Sequence, residues 1–294
     1  MSVVRLFVVV AALLAAAPSA ALAAAVPATV TGSANFRSKP GGGKVLAKVK
    51  TGTKATVVCQ QLGGVATTKR DGPSRIWSRV IVGGRRGWIA DGLLTGSTQA
   101  LTAPLCGIPA PTTPASTGIV EGNCGIVAPV TLIPPFTTPE AFISAALPGA
   151  RKNRDTYDVP VSAALAQSIL ETGAGKIAAL ANNYFGMKAQ PTSTPGRYRW
   201  EGNAVGCVLK KTRESEGGTL VLTVGAFRAY STLDASILDY GARLRANPVY
   251  APAFKYTDNP RRFLREVARR YATDPAYATK LLSLVDRYDL DQYD

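Results

Sequence analysis

Glu171 stands in the segment Gln167-Ser168-Ile169-Leu170-Glu171-Thr172-Gly173-Ala174-Gly175, where an apolar run with four-residue spacing ends on a glycine. Leu165 with Ile169, and Ala166 with Leu170, carry that spacing, which predicts a helix starting near Pro160 and capped by Gly173. The carboxyl then falls in the last turn. There the helix macrodipole opposes negative charge and partial burial opposes it further, so both push the carboxyl pKa upward. A carboxyl still protonated near neutrality can hand a proton to a leaving oxygen, which is the chemistry of glycosidic bond cleavage. From helix position alone, a solvated glutamate at a helix end is the simpler reading.

Composition narrows the chemistry. The chain contains no histidine, which removes Ser-His-Asp and Cys-His nucleophile arrangements and His-ligated zinc sites. Neither metal nor cofactor is expected, and carboxylate chemistry remains. Lys plus Arg number 34 against 19 Asp plus Glu, a net charge of +15. Such a balance favours polyanions. The opening residues 1–25 place Arg5 before the apolar run Leu6 to Ala17, then Pro18 and the small residues Ala21-Leu22-Ala23. This is the layout of a secretory signal cleaved after Ala23 or Ala25, with an uncleaved membrane anchor as the alternative. For an exported chain the available polyanions are anionic wall polymers rather than nucleic acid, and a general solubility role is the plain alternative. The four cysteines, Cys59, Cys106, Cys124 and Cys207, form an even count suited to an oxidising compartment. Of the three pairings, Cys59 with Cys106 and Cys124 with Cys207 is favoured, because each ties the central segment to its nearer domain.

Those residues need a scaffold, and the chain divides into segments. Residues 29–96 are rich in Val, Thr and Gly, with runs such as Lys54-Ala55-Thr56-Val57-Val58 and Trp77-Ser78-Arg79-Val80-Ile81-Val82 between turn signals at Lys39 to Gly43 and at Gly83-Gly84. Short strands and tight turns at this spacing read as a small all-β barrel. Residues 97–137 are a Pro/Thr-rich linker in which Glu121 is the only charge. Residues 138–294 turn helical. Thr138-Pro139-Glu140 sets a capping hydroxyl before a first-turn proline and an early carboxylate. Further helices are expected after Ser231, after Asn259-Pro260 and after Asp274-Pro275, with strands between Arg197 and Tyr230. Arg261, Arg265 and Arg269, joined by Arg262 and Arg270, read as a solvated helix face or a polymer patch, with Glu266 four residues from both Arg262 and Arg270.

Two resemblances follow from these residues. Asn35-Phe36-Arg37-Ser38-Lys39-Pro40, Gly52-Thr53 and Gly87-Trp88-Ile89-Ala90 resemble a bacterial SH3-type domain, a family that binds wall peptide or acts as a spacer. Trp77 and Trp88 read equally as packing residues or ligand contacts. Glu171-Thr172-Gly173, with Ala181-Asn182-Asn183-Tyr184-Phe185-Gly186-Met187-Lys188, Ala226 to Ser231, and Tyr271-Ala272-Thr273-Asp274-Pro275-Ala276-Tyr277-Ala278, resembles the peptidoglycan glucosaminidases of glycoside hydrolase family 73.

Together the two resemblances imply a multidomain protein: an SH3-like barrel followed by an α+β, lysozyme-like, mainly helical catalytic domain with a small β lobe. A secreted protein follows from the leader, a monomer is expected, and the second resemblance implies Glu171 as general acid acting on peptidoglycan glycan strands. It also implies a second carboxylate ahead of the Phe227-Arg228-Ala229-Tyr230 motif, best matched by Glu214 with Glu216 as fallback. By themselves both glutamates read as solvated turn residues. The gap between the two carboxyls would decide retention against inversion, with substrate-assisted attack a third route. Tyr271 and Tyr277 match positions near the cleft. Tyr184 and Phe185 read as a floor for a sugar ring or as core, and Asn183 as a sugar contact or a turn cap. Ala174 departs from the family, which often carries an aromatic there; a wider cleft or a weakened sugar contact is the expected consequence. The reaction implied is cleavage after N-acetylglucosamine. The alternatives are cleavage after N-acetylmuramic acid, as a muramidase or lytic transglycosylase, and an inactive wall-binding protein.

Overall fold

The computed structural model of the chain describes residues 25–96, 101–103, 105–107, 120–124, 132–176, 180–194, 196–272 and 274–294. The leader expected at 1–25 lies outside the described residues except for Ala25, as does much of the Pro/Thr-rich segment.

The N-terminal region is mostly sheet. Strands β1 (Val26–Thr29), β2 (Ala34–Arg37), β3 (Val45–Val49), β4 (Lys54–Thr68), β5 (Gly72–Val82) and β6 (Arg85–Ala90) pair in the order β1-β4-β5-β6-β2-β3. Their inward side chains, among them Val30, Phe36, Val57, Val80, Ile89 and Leu94, form one apolar core. Trp77 and Trp88 are buried with Ala90, and Trp77 Nε1 donates to the carbonyl of Gly64 at 2.8 Å, so both indoles are packing residues. β4 and β5 run 15 and 11 residues, longer than the short strands expected. Their register shifts between Leu62 and Ala66, and they continue together to the turn at Gly72.

The C-terminal region packs β7 (Val120–Asn123), α1 (Pro139–Tyr157), α2 (Val161–Thr172), β8 (Gln190–Pro191), β9 (Arg197–Trp200), β10 (Gly206–Glu216), β11 (Thr219–Ala229), α3 (Leu233–Ala246), α4 (Pro260–Tyr271) and α5 (Tyr277–Arg287). Helix starts follow their caps. The hydroxyls of Thr138 and Thr232 accept from Ala141 N and Ala235 N, and Asn259 Oδ1 accepts from Arg262 N. α5 begins at Tyr277, two residues beyond Pro275, with Asp274 Oδ1 accepting from Ala276 N in the preceding turn. α2 is the central helix. All its residues from Val161 to Ile169 are buried, against a core that includes Phe142, Tyr184, Tyr240, Phe263 and Leu281. β7, β9 and β8 make a small three-stranded sheet, and β10 with β11 forms a long hairpin.

Both expected disulfides form, Cys59 with Cys106 and Cys124 with Cys207. The arginine face differs from expectation: Glu266 pairs with Arg269 at 2.8 Å rather than with Arg262 or Arg270. Arg262 instead covers the Tyr256 ring at 3.8 Å, and Arg261 pairs with Asp286 and Asp291 at 2.6 Å each.

Candidate active site

Gly173 takes the left-handed conformation (φ 60) that closes α2, leaving Glu171 in its last turn. The glutamate is exposed, yet protein atoms crowd its carboxyl. Solvent reaches the side chain, while neighbouring protein atoms partly desolvate its carboxyl. Burial is the largest influence and raises the carboxyl pKa; a hydrogen bond from Tyr277 and the charge of Lys210 pull it back down.

A directed chain of hydrogen bonds runs into the acid. Tyr277 Oη donates to Glu171 Oε1 at 2.8 Å and accepts from Gln167 Nε2 at 3.2 Å, while Gln167 Oε1 accepts from Tyr240 Oη. Gln167 lies four residues before Glu171 on the same helix face. Because the amide spends its oxygen on Tyr240, its nitrogen faces Tyr277 as donor, and the Tyr277 proton is left for Glu171. Burial is again the largest influence on Tyr277, and the adjacent Glu171 charge adds to it, so its phenol pKa is raised and the hydroxyl stays a donor. The ring is fixed from behind: Tyr277 stacks on Tyr271 (5.9 Å between centroids, 13°), Tyr271 meets Tyr240 edge-on, and Tyr240 stacks on Phe185 (4.2 Å, 9°).

Gly186 (φ +62) passes in front of the carboxyl; a Cβ there would lie 3.9 Å from Glu171 Oε2. Asn183 shapes this turn. Its Nδ2 donates to the carbonyls of Met187 (2.8 Å) and Arg228 (2.9 Å), and its Oδ1 accepts from Met187 N. Asn183 is buried and these bonds occupy its amide, so it caps the turn rather than facing a sugar. Tyr184 and Phe185, each 2 % exposed, point into the core and present no surface for a sugar ring. Tyr271 spends its hydroxyl on the carbonyl of Phe185 (2.9 Å), behind Tyr277. Ala174, two residues beyond the helix, is buried at 3 % exposure.

Glu214 lies on β10, half-buried, and its Oε1 accepts from Lys188 Nζ at 2.6 Å. Glu216, at the hairpin end, is held instead by Arg75 of β5, whose Nε and Nη2 reach its two carboxylate oxygens between 2.6 and 3.0 Å. Arg75 holds the Glu216 carboxyl below its ordinary pKa. Lys210, on the same strand, lies 4.3 Å from the Phe227 ring centroid and acts electrostatically on Glu171. The site therefore includes Gln167, Lys188 and Lys210, which the sequence reading had not singled out. Helical spacing from Glu171 could have pointed to Gln167, and the motif over 181–188 to Lys188, its last residue; Lys210 arrives from β10 and carries no local signal.

Arg228 and Tyr230 of the Phe227-Arg228-Ala229-Tyr230 motif both bond Asp239 Oδ2 (2.8 and 2.6 Å), joining β11 to α3. Among the described residues, no group of three or more His, Cys, Asp and Glu is placed to hold a metal ion.

Residues 147–290 match the family model described as Mannosyl-glycoprotein endo-beta-N-acetylglucosaminidase. The chain is 35% identical over 156 residues to the peptidoglycan hydrolase FlgJ of Pseudomonas aeruginosa, covering 51% of this chain and 36% of that protein. It is 32% identical over 163 residues to the exo-glucosaminidase LytG of Bacillus subtilis, covering 53% of each. A crystal structure of a peptidoglycan hydrolase mutant from Sphingomonas sp. A1 matches at 33% identity and TM-score 0.43, over 52% of this chain and 97% of that one. The chain thus spans only about a fifth to a half of the length of the curated relatives it matches.

Proposed function

We propose, from the match of residues 147–290 to the Glucosaminidase family model, that the chain hydrolyses the β-1,4 bond following N-acetylglucosamine in peptidoglycan, with Glu171 as general acid. One observation carries this reading: Tyr277 Oη donates at 2.8 Å to the carboxyl of a solvent-exposed Glu171; partial burial, which raises the carboxyl pKa, supports it. Burial favours the protonated acid before reaction. Once the proton passes to the glycosidic oxygen, the Tyr277 hydroxyl and the Lys210 charge stabilise the carboxylate that remains. Glu214, paired with Lys188 on the hairpin, is the better choice for the base that activates water. Glu216 is committed to Arg75.

The remaining parts of the reading concern setting. We read residues 1–25 as an export leader and the N-terminal sheet as an SH3-type domain, so that the protein works at the cell wall or outside the cell as a monomer. Its net charge of +15 suits contact with anionic wall polymers.

Mass spectrometry of digested peptidoglycan tests the reaction. Products ending in reducing N-acetylglucosamine are expected. Reducing muramic acid or an anhydro product would move the reading to a muramidase or lytic transglycosylase, and no product at any pH would leave a wall-binding protein.

A further inference from the structure

The hairpin carrying Glu214 is anchored outside its own region. Side chains alternate along β10, so Lys210, Glu214 and Glu216 share one face while Lys211 and Arg213 share the other; at the hairpin end Glu216 turns from that face to Arg75 of the N-terminal sheet. Lys210 and Glu214 meet Glu171 and Lys188 on the cleft side, by field and by ion pair respectively. Lys211 and Arg213 meet the N-terminal sheet. Lys211 has no exposed side-chain surface, and its Nζ lies 2.6 Å from Oδ2 of Asp91, itself 1 % exposed. Asp91 also accepts from Gln60 Nε2 (2.5 Å), Ser78 Oγ (2.8 Å) and Arg70 Nη2 (2.7 Å), all within the N-terminal region. Arg213 Nη2 donates to the carbonyl of Asp71 at 2.9 Å, Leu222 pairs in parallel with Ser74, and Arg75 grips Glu216.

A lysine with no exposed surface cannot leave its aspartate without stranding a buried charge, so this contact is an anchor rather than a passing touch. An isolated two-stranded hairpin of this length is only marginally ordered in water. We propose that the N-terminal sheet positions the catalytic hairpin, with Lys211 pegged on Asp91 so that β10 presents Glu214 and Lys210 to the cleft. This role rests on the glycan-hydrolase reading above and is separate from any affinity of the N-terminal region for wall polymer. Asp91 and Lys211 are positioning residues, acting through the strand.

The test is Lys211→Met in the full chain, which keeps the stem and removes the charge. The substrate is soluble peptidoglycan glycan oligomers stripped of stem peptide, so that wall binding plays no part. The expected result is a fall in kcat of about ten-fold with KM changed by less than about two-fold. Amide hydrogens of residues 206–229 should exchange faster while α2 keeps its protection. Unchanged kcat on the soluble oligomers, or unchanged exchange in the hairpin, overturns the proposal. The exchange measurement needs no turnover. A chain that cleaves no glycan therefore refutes the hydrolase reading while exchange still judges the anchor. Should Lys211→Met fail to fold, Glu216→Arg sets two cations against each other at a half-exposed site and should lower kcat about three-fold with KM kept; wild-type kcat in that variant overturns the proposal.

Discussion

Glu171 and Glu214 are held in opposite ways. Glu171 ends a helix buried from Val161 to Ile169, its hydroxyl donor comes from the same core, and a stack of aromatic rings backs that donor. Glu214 is half-buried on a hairpin strand, paired with one lysine, and the strand is anchored on a region more than a hundred residues earlier. A proton donor whose pKa must be tuned benefits from a fixed, partly desolvated seat. A group that prepares water needs solvent and can tolerate a strand that moves slightly. On the proposed reading, the contrast suits Glu171 to the acid and Glu214 to the base, although both side chains are glutamates.

The contrast breaks most sharply at Glu171. Glu171→Gln should lower glycan cleavage by about 10³-fold or more, read by release of reducing ends. It should not unfold the chain. A carboxyl whose folded pKa is raised contributes stability at low pH that is lost as pH rises through the raised value. The neutral amide escapes that loss, so the thermal midpoint near neutrality should be equal to or above wild type. Glu214→Gln should cost about 10²-fold, with KM little changed. A loss as large as that of Glu171→Gln would erase the asymmetry between the two, and wild-type turnover would remove Glu214 from the mechanism. Tyr277→Phe keeps the stacked ring but removes the donor, and should lower kcat about ten-fold; an unchanged rate would reduce the hydroxyl to packing.

The acid's surroundings were legible to the extent that they were local. Apolar spacing, Pro160 and Gly173 bounded α2 closely, and the capping residues located the other helices with small shifts, such as α5 starting at Tyr277 rather than directly after Pro275. The cysteine pairing followed from the order of the segments. Tyr184 and Phe185 were harder. They read equally as a sugar-ring floor or as core, and only the Asn183 bonds and the Phe185–Tyr240 stack, which hold that turn with its rings in the core, decide between the two. The hairpin was least legible. Lys211 and Arg213 look like ordinary strand cations until a distant sheet supplies Asp91 and the Asp71 carbonyl, and no local periodicity announces such partners. For the same reason Glu216, the fallback to Glu214 in the same segment, is set apart from it by partners distant in the chain, Arg75 for Glu216 and Lys188 for Glu214.

The most direct test of the acid's seat is the pH dependence of kcat/KM for glycan cleavage by wild type and Tyr277→Phe. The alkaline limb of the wild type should report a group above the ordinary glutamate value of about 4.3. Because the Tyr277 hydrogen bond holds the carboxyl pKa down against burial, the limb should move to higher pH in Tyr277→Phe. Activity that instead rises with pH through this range, or a limb that moves lower when the hydroxyl is removed, would contradict Glu171 as the proton donor.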